Sequence, residues 1–308
     1  MVKSKTPKSW AGKLIAISLT ALLATSSMAA NFKTTAAAAE KGKAADQFAL
    51  GQLYDFGDGV KQDFTKAVEW YLKAGTQGHA DAQFSLGIAY AAGDGVAEDK
   101  VKAAEWYSKA AEQGRTDAQL SLADMYAGGD GIPKDSTKAF ELYKKAAEQG
   151  LEYAQYALGR AYENGEGVAQ DYDQAVAWYK KSVEQDNMEA RIALANLYYT
   201  GGGVAQNHSE AVKLYKEVAE YGDAQTQARL GLMYYYGEGV TKDNKEAARL
   251  FELAAKQDNA LGQFALGSMY EEGAGVEAAS KTQAKQWYGK ACEQGYQGGC
   301  DGLNRVSS

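Results

Sequence analysis

The sequence predicts an all-α protein built as a solenoid of stacked helix pairs, on three observations. Leu50, Leu86, Leu122, Leu158, Leu194, Leu230 and Leu266 stand 36 residues apart, and a tyrosine follows each four residues later, from Tyr54 to Tyr270. Within each unit the apolar positions recur at helical spacing. Ala, Leu, Lys, Glu and Gln are abundant, and the 308 residues include only two prolines. A fixed period of this length marks a repeat array, in which each unit contacts its neighbours and no single central core forms.

The N-terminus reads as an export signal. Lys3, Lys5, Lys8 and Lys13 precede an apolar stretch over 14–24, and Ser27-Met28-Ala29 places small residues where a signal peptidase reads them. Cleavage is expected after Ala29, giving a signal peptide over 1–29, with Ala30 the alternative. The apolar stretch is too short to span the roughly 30 Å hydrocarbon core. With no cysteine near the cut, lipid attachment there is not expected. Removing four lysines and no acid takes the net charge from -7 to -11, and so acidic a chain disfavours nucleic acid as the main ligand.

In the second unit, Ala82, Leu86 and Tyr90 lie at i, i+4 and i+8 on one face of a helix, here called helix A. A loop with Gly93 and Gly95 follows, and this glycine pair recurs in every unit from Gly57 to Gly275. The first glycine suits a left-handed cap, and the second lets the chain turn back. Helix B then opens at Asp63, Asp99, Asp135, Asp171, Asn207, Asp243 or Ser280, all good N-cap residues. Its apolar face is set by groups such as Ala103, Trp106, Tyr107 and Ala110. Gly78, Gly114, Gly150 and Gly222 end it, with Asp186 and Asp258 in the corresponding places of two other units. The small residue after each framework leucine, for example Gly87 or Ala123, is expected to let two helix backbones approach.

Seven units result, at about 44–78, 79–114, 115–150, 151–186, 187–222, 223–258 and 259–297. The last carries one extra loop residue. Capping half-units are expected at 30–43 and 298–308.

The pattern Ala-x-x-x-Leu-Gly-x-x-Tyr-x-x-Gly-x-Gly-Val-x-x-Asp-x-x-Lys-Ala-x-x-Trp-Tyr-x-x-Ala-Ala-x-x-Gly, nearly complete over 80–114, resembles the Sel1-like repeat, a relative of the tetratricopeptide repeat. Leu142, Leu214 and Leu250 depart from it by replacing the tryptophan. The resemblance implies a right-handed α/α superhelical solenoid of about seven 36-residue helix-turn-helix repeats that serves as an adaptor or scaffold. Exported bacterial members include envelope regulators, machine components, host-interaction factors and immunity proteins. Cys292 and Cys300 extend the resemblance to a cysteine-rich subgroup, in which pairs so spaced staple helix B to the next helix A. In an exported chain two cysteines eight apart most simply form a disulfide. A clamp on the C-terminal end is the expected role.

Chemistry-bearing residues are few. His79 and His208, the only histidines, are read as surface residues. The sequence has no metalloprotease, nucleophile-elbow or phosphate-loop motif, and no Ser-x-x-Lys of the kind a β-lactamase-like activity needs. No catalytic residue, metal site or cofactor is therefore expected.

By resemblance to tetratricopeptide arrays, the concave face is lined by helix A positions two, five and six after the framework leucine. Tyr199, Tyr235 and Tyr236 fall in these variable columns on adjacent units, with Leu232 beside them and Arg160, Glu163, Glu271 and Glu272 flanking. Tyrosine suits a binding hot spot because it buries much area at little rotamer cost and keeps a polar end. The expected function is a periplasmic or secreted non-catalytic adaptor that binds a protein or peptide there, without nucleic acid and without stable membrane insertion. The alternatives are an immunity protein against a periplasm-directed toxic enzyme and, more weakly, a β-lactamase-like hydrolase.

Overall fold

The computed structural model describes residues 31–308. The expected signal peptide and both candidate cleavage positions lie outside the described residues. Among those residues every regular element is a helix. Helix α1 occupies 31–39. The A helices are α2 (Ala44–Phe56), α4 (Ala80–Ala92), α6 (Thr116–Gly128), α8 (Glu152–Asn164), α10 (Met188–Thr200), α12 (Ala224–Tyr236) and α14 (Ala260–Glu272). The B helices are α3 (Phe64–Thr76), α5 (Lys100–Glu112), α7 (Ser136–Glu148), α9 (Tyr172–Val183), α11 (His208–Glu220), α13 (Asn244–Lys256) and α15 (Lys281–Glu293), and α16 (Gln297–Ser307) closes the chain. This is an all-α array of seven helix pairs. The described residues divide into two compact units, 31–145 and 146–308, with the boundary inside α7.

Local chemistry sets the helix ends. All seven helix B caps form as read: each side-chain oxygen accepts from a first-turn amide, as in Asp99 from Lys102 at 3.0 Å and Ser280 from Gln283 at 3.3 Å. Each such bond contributes about 1 kcal/mol, because it pairs an amide that the helix cannot. Both loop glycines take positive φ, 78° at Gly93 and 73° at Gly95. The second does more than turn the chain. A Cβ at Gly95 would collide with the carbonyl of Phe64 at the start of the preceding helix B, so glycine there permits a close approach between successive repeats. Asp186 and Asp258 take the left-handed conformation at φ 62° and 58°, where other units carry glycine.

The glycine that follows the framework leucine in five of the seven units has a different role from the one expected. It seats an aromatic ring, not a neighbouring backbone. A Cβ at Gly51 or Gly159 would lie 2.6 Å from the ring of Tyr71 or Tyr179 on the following helix B. Those tyrosines are almost fully buried and form the core with the framework leucines and alanines.

A glutamine ladder, not anticipated from the sequence, runs through the packed helices. Gln47, Gln83, Gln119, Gln155, Gln227 and Gln263 are buried, and each donates to the carbonyl eight residues earlier on the preceding helix, α1 for Gln47 and a helix B for the others. Most also accept from a second glutamine about thirty residues later, as in Gln113 to Gln83 at 2.7 Å and Gln185 to Gln155 at 2.8 Å. In the fifth repeat Arg191 takes the buried position and pairs with Asp186 and Glu217. The histidines also differ from expectation. Both are half-buried: His79 caps α4 and stacks on Phe48 of the preceding repeat, and His208 stacks on Tyr199 of its own repeat.

Candidate partner-binding site

The helix A columns expected to be free for recognition are partly taken up by the scaffold. The helix B tyrosines reach across with their hydroxyls. Tyr71 donates to Asp55 at 2.9 Å, Tyr143 to Asp124 at 2.7 Å, Tyr179 to Glu163 at 2.5 Å, Tyr215 to Asn196 at 2.6 Å and Tyr288 to Glu271 at 2.6 Å. Tyr107 pairs with Ser121. Burial, then the neighbouring acid, pushes the Tyr71 and Tyr179 hydroxyls far above the usual phenol range, and Tyr288 to about 12. These phenols therefore stay neutral donors. Glu163 and Glu271, read as flanking acids for a partner, are partners of the chain's own tyrosines. Glu271 is also gripped by Arg305 through two bonds of 2.9 and 2.7 Å, and these hold its carboxyl down at about 2.

The sixth repeat breaks this arrangement. Its helix B carries Phe251 where the other six carry tyrosine, so no hydroxyl reaches across. The facing positions, Leu232 and Tyr235 on α12, carry no carboxylate or amide. A cleft of about 160 Å³ opens between α12 and α14. Phe251, Met269 and Ala265 form its buried floor, with Leu232, Phe264, Tyr235 and Tyr236 as walls and Ser268 and Glu272 as polar groups. Tyr235 and Tyr236 meet edge to face with centroids 5.0 Å apart. Tyr235 donates to Glu272 at 2.9 Å, and Tyr236 is 64% exposed. The structure thus brings together Leu232, Tyr235, Tyr236 and Glu272.

Tyr199 belongs to a different group. Its hydroxyl donates to Glu238 at 3.0 Å, its ring stacks on His208, and the Arg229 guanidinium lies 5.9 Å from its centroid. Arg229 in turn donates to Asn196 and to the Tyr215 hydroxyl. Arg160 stands exposed on α8, hydrogen-bonded to Tyr156. Placing Tyr199 and Arg160 in one patch with Tyr235 and Tyr236 followed from column position alone. The side chains instead turn to local partners. The signal that sequence reading missed was the polar column residue facing a helix B tyrosine in repeats one, three, four, five and seven, absent beside Phe251 at Leu232 and Tyr235.

Cys292 on α15 and Cys300 on α16 form a disulfide. Among the described residues no group of His, Cys, Asp or Glu is placed to hold a metal ion, and no helix is long and apolar enough to cross a membrane.

Repeated helix pairs with these caps, loop glycines and seated rings define a helical-repeat scaffold. The Sel1 repeat profile matches residues 44–79, 80–114, 116–151, 152–187, 189–223, 224–259 and 260–296, and the chain belongs to the Sel1-repeat family. Proteins of this family are generally protein-interaction scaffolds. Comparison with curated proteins gave no match. Among solved structures, a protective antigen present in uropathogenic Escherichia coli strains is similar at 37% identity and TM-score 0.82, covering 89% of this chain. This chain spans 59% of that protein's length. A Sel1 repeat protein from Oxalobacter formigenes is similar at 33% identity and TM-score 0.70, covering 92% of this chain and 81% of its own. An immunity protein from Pseudomonas aeruginosa aligns at 24% identity and TM-score 0.39 over 71% of this chain and 82% of its own, too slight a likeness to bear on function.

Proposed function

We propose that the chain is a non-catalytic adaptor of the bacterial cell envelope that binds a protein or peptide on its helix A face. The observation that carries this reading is the exposed aromatic pair Tyr235–Tyr236 beside Leu232, at positions that no helix B hydroxyl engages in this repeat, at the mouth of an apolar cleft. Exposed tyrosine beside a desolvated apolar floor is the composition of an interface hot spot. A periplasmic or secreted location is supported by the basic-then-apolar N-terminal sequence and by the disulfide, which persists in oxidising compartments. The non-catalytic reading rests on the missing nucleophile and acid–base motifs, and nitrocefin turnover by the purified protein would overturn it.

The test is capture from a periplasmic extract followed by mass spectrometry, with the triple variant Tyr199→Ala, Tyr235→Ala, Tyr236→Ala beside the parent chain. Loss of a specific partner is expected while the far-UV circular dichroism of the folded helices is retained. Capture that survives the triple variant overturns the proposed face. If the captured partner is an enzyme that the chain inhibits, the role is immunity instead of scaffolding.

A further inference from the structure

The cleft at the sixth repeat has a composition that selects one kind of occupant. In the second unit, Tyr179, Tyr215 and Tyr288 each spend a hydroxyl on a polar group of the facing helix A column. Phe251 has none to spend, and the space above it is walled by the rings of Tyr235, Tyr236 and Phe264. Aromatic faces carry negative quadrupole potential and attract cations placed over them, most strongly when water is excluded. The chain already uses this attraction on the Tyr235 ring, for Lys242, outside the cleft lining, has its Nζ 5.2 Å from the Tyr235 centroid.

The charge at the rim has the matching sign. Glu272 is the one ionisable carboxylate lining the cleft, and no lysine or arginine lines it. Its neighbour Glu271 is neutralised by Arg305. Among the described residues Glu272 makes no ion pair, and its bond from the Tyr235 hydroxyl occupies only one of its two oxygens. An acidic chain also steers basic partners toward it. A ligand group that is flat enough to lie against rings, apolar along its stem and cationic at its end satisfies every wall at once. The arginine side chain has that shape, with a guanidinium that stacks on aromatic faces and forks onto a carboxylate.

We infer that the cleft formed by Phe251, Tyr235, Tyr236 and Phe264 with Glu272 at its rim is a socket for an arginine side chain presented by a basic segment of the protein partner. This rests on the adaptor reading and names the chemistry that its partner brings. Ser268 also lines the cleft, with its hydroxyl hydrogen-bonded to that of Tyr288 at 3.0 Å.

The test uses residues 30–308, isotope-labelled for NMR, titrated with four matched probes: acetyl-Gly-Arg-Gly-amide and its Lys, Leu and Glu counterparts. The arginine probe is expected to shift the signals of Tyr235, Tyr236, Ser268 and Met269 saturably, with weaker binding at higher salt. The lysine probe should bind a few-fold less tightly, the leucine probe at least tenfold less, and the glutamate probe not at all. Glu272→Gln should weaken the arginine probe about tenfold, or about 1.4 kcal/mol. Phe251→Tyr, which restores the residue of the other repeats and so keeps the fold, should weaken it as well.

A leucine probe that binds as tightly as arginine, or no saturable shift at the cleft with any probe, overturns the inference. The two readings separate in the capture experiment. If Glu272→Gln leaves capture intact while the triple tyrosine variant abolishes it, the arginine socket is wrong and the adaptor face stands. If both variants leave capture intact, the adaptor face itself fails.

Discussion

The side-chain amide of Gln185, past the end of α9, donates to the side-chain carbonyl of Gln155 on α8 at 2.8 Å, thirty residues earlier in the chain. Gln155 is buried and at the same time donates to the Ala147 carbonyl. One side chain thus joins the end of the preceding helix B to the end of the following one.

Gln155→Ala should therefore cost more than its few lost contacts. It removes two hydrogen bonds, while the Ala147 carbonyl keeps the Gly150 amide and the Gln185 amide keeps the Gly150 carbonyl, and two bonds at about 0.5–1.5 kcal/mol each give about 1–3 kcal/mol. Urea unfolding should show a loss in that range. Gln185→Ala, which leaves the Ala147 bond in place, should lose less.

The two loop glycines should respond differently to alanine, although both have positive φ. At Gly93 the nearest neighbour of an added Cβ is Glu98 at 3.4 Å, an ordinary contact, so the cost is the conformational term of about 1–2 kcal/mol. At Gly95 the Cβ would strike the Phe64 backbone, so that repeat must move and the loss should be clearly larger. Thermal melts of the two single variants decide this.

Reduction of Cys292–Cys300, or its replacement by two serines, should destabilise the C-terminal end by about 2.5 kcal/mol on the loop-entropy account. Hydrogen exchange should quicken first in α16 and the end of α15, and remain unchanged in repeats one to three, because array units couple mainly to neighbours.

Glu271 supplies an acid-sensitive term. The Arg305 bonds, helped by the Tyr288 hydroxyl and opposed by partial burial, depress its folded-state value to about 2 from an ordinary 4.5. A depressed carboxylate stabilises the fold above its unfolded value and loses that contribution as pH falls through the folded value. The melting temperatures of the parent and Arg305→Gln should therefore differ by a constant amount above about pH 5. They should converge between about pH 4.5 and 2. A difference that widens on acidification would contradict the assignment.

Much of the scaffold was legible in the sequence, and for local reasons. A left-handed loop position tolerates glycine or aspartate, a helix start needs a short oxygen-bearing side chain, and an apolar stripe must recur every three or four residues. The helix ends at Asp99, Gly93 and Gly114 follow from such rules applied over a few neighbouring residues. The disulfide was legible through spacing and resemblance. The candidate site was only half legible. Column position identified Tyr235, Tyr236, Leu232 and Glu272, which the fold gathers, but also Tyr199, Glu163 and Glu271, which the fold engages elsewhere.

The sequence by itself determined the period, the order of the helices and the residues at their ends, because those depend on backbone preferences within a few residues. Only the tertiary structure decided which side chains are spent and which are left over. The hydroxyls of Tyr179 and Tyr288 claim Glu163 and Glu271, Gln185 finds Gln155 across thirty residues, and Phe251 leaves an open cleft below Tyr235 and Tyr236. Those outcomes depend on where one helix's side chains meet another's, and the spacing of residues along the chain does not contain that geometry.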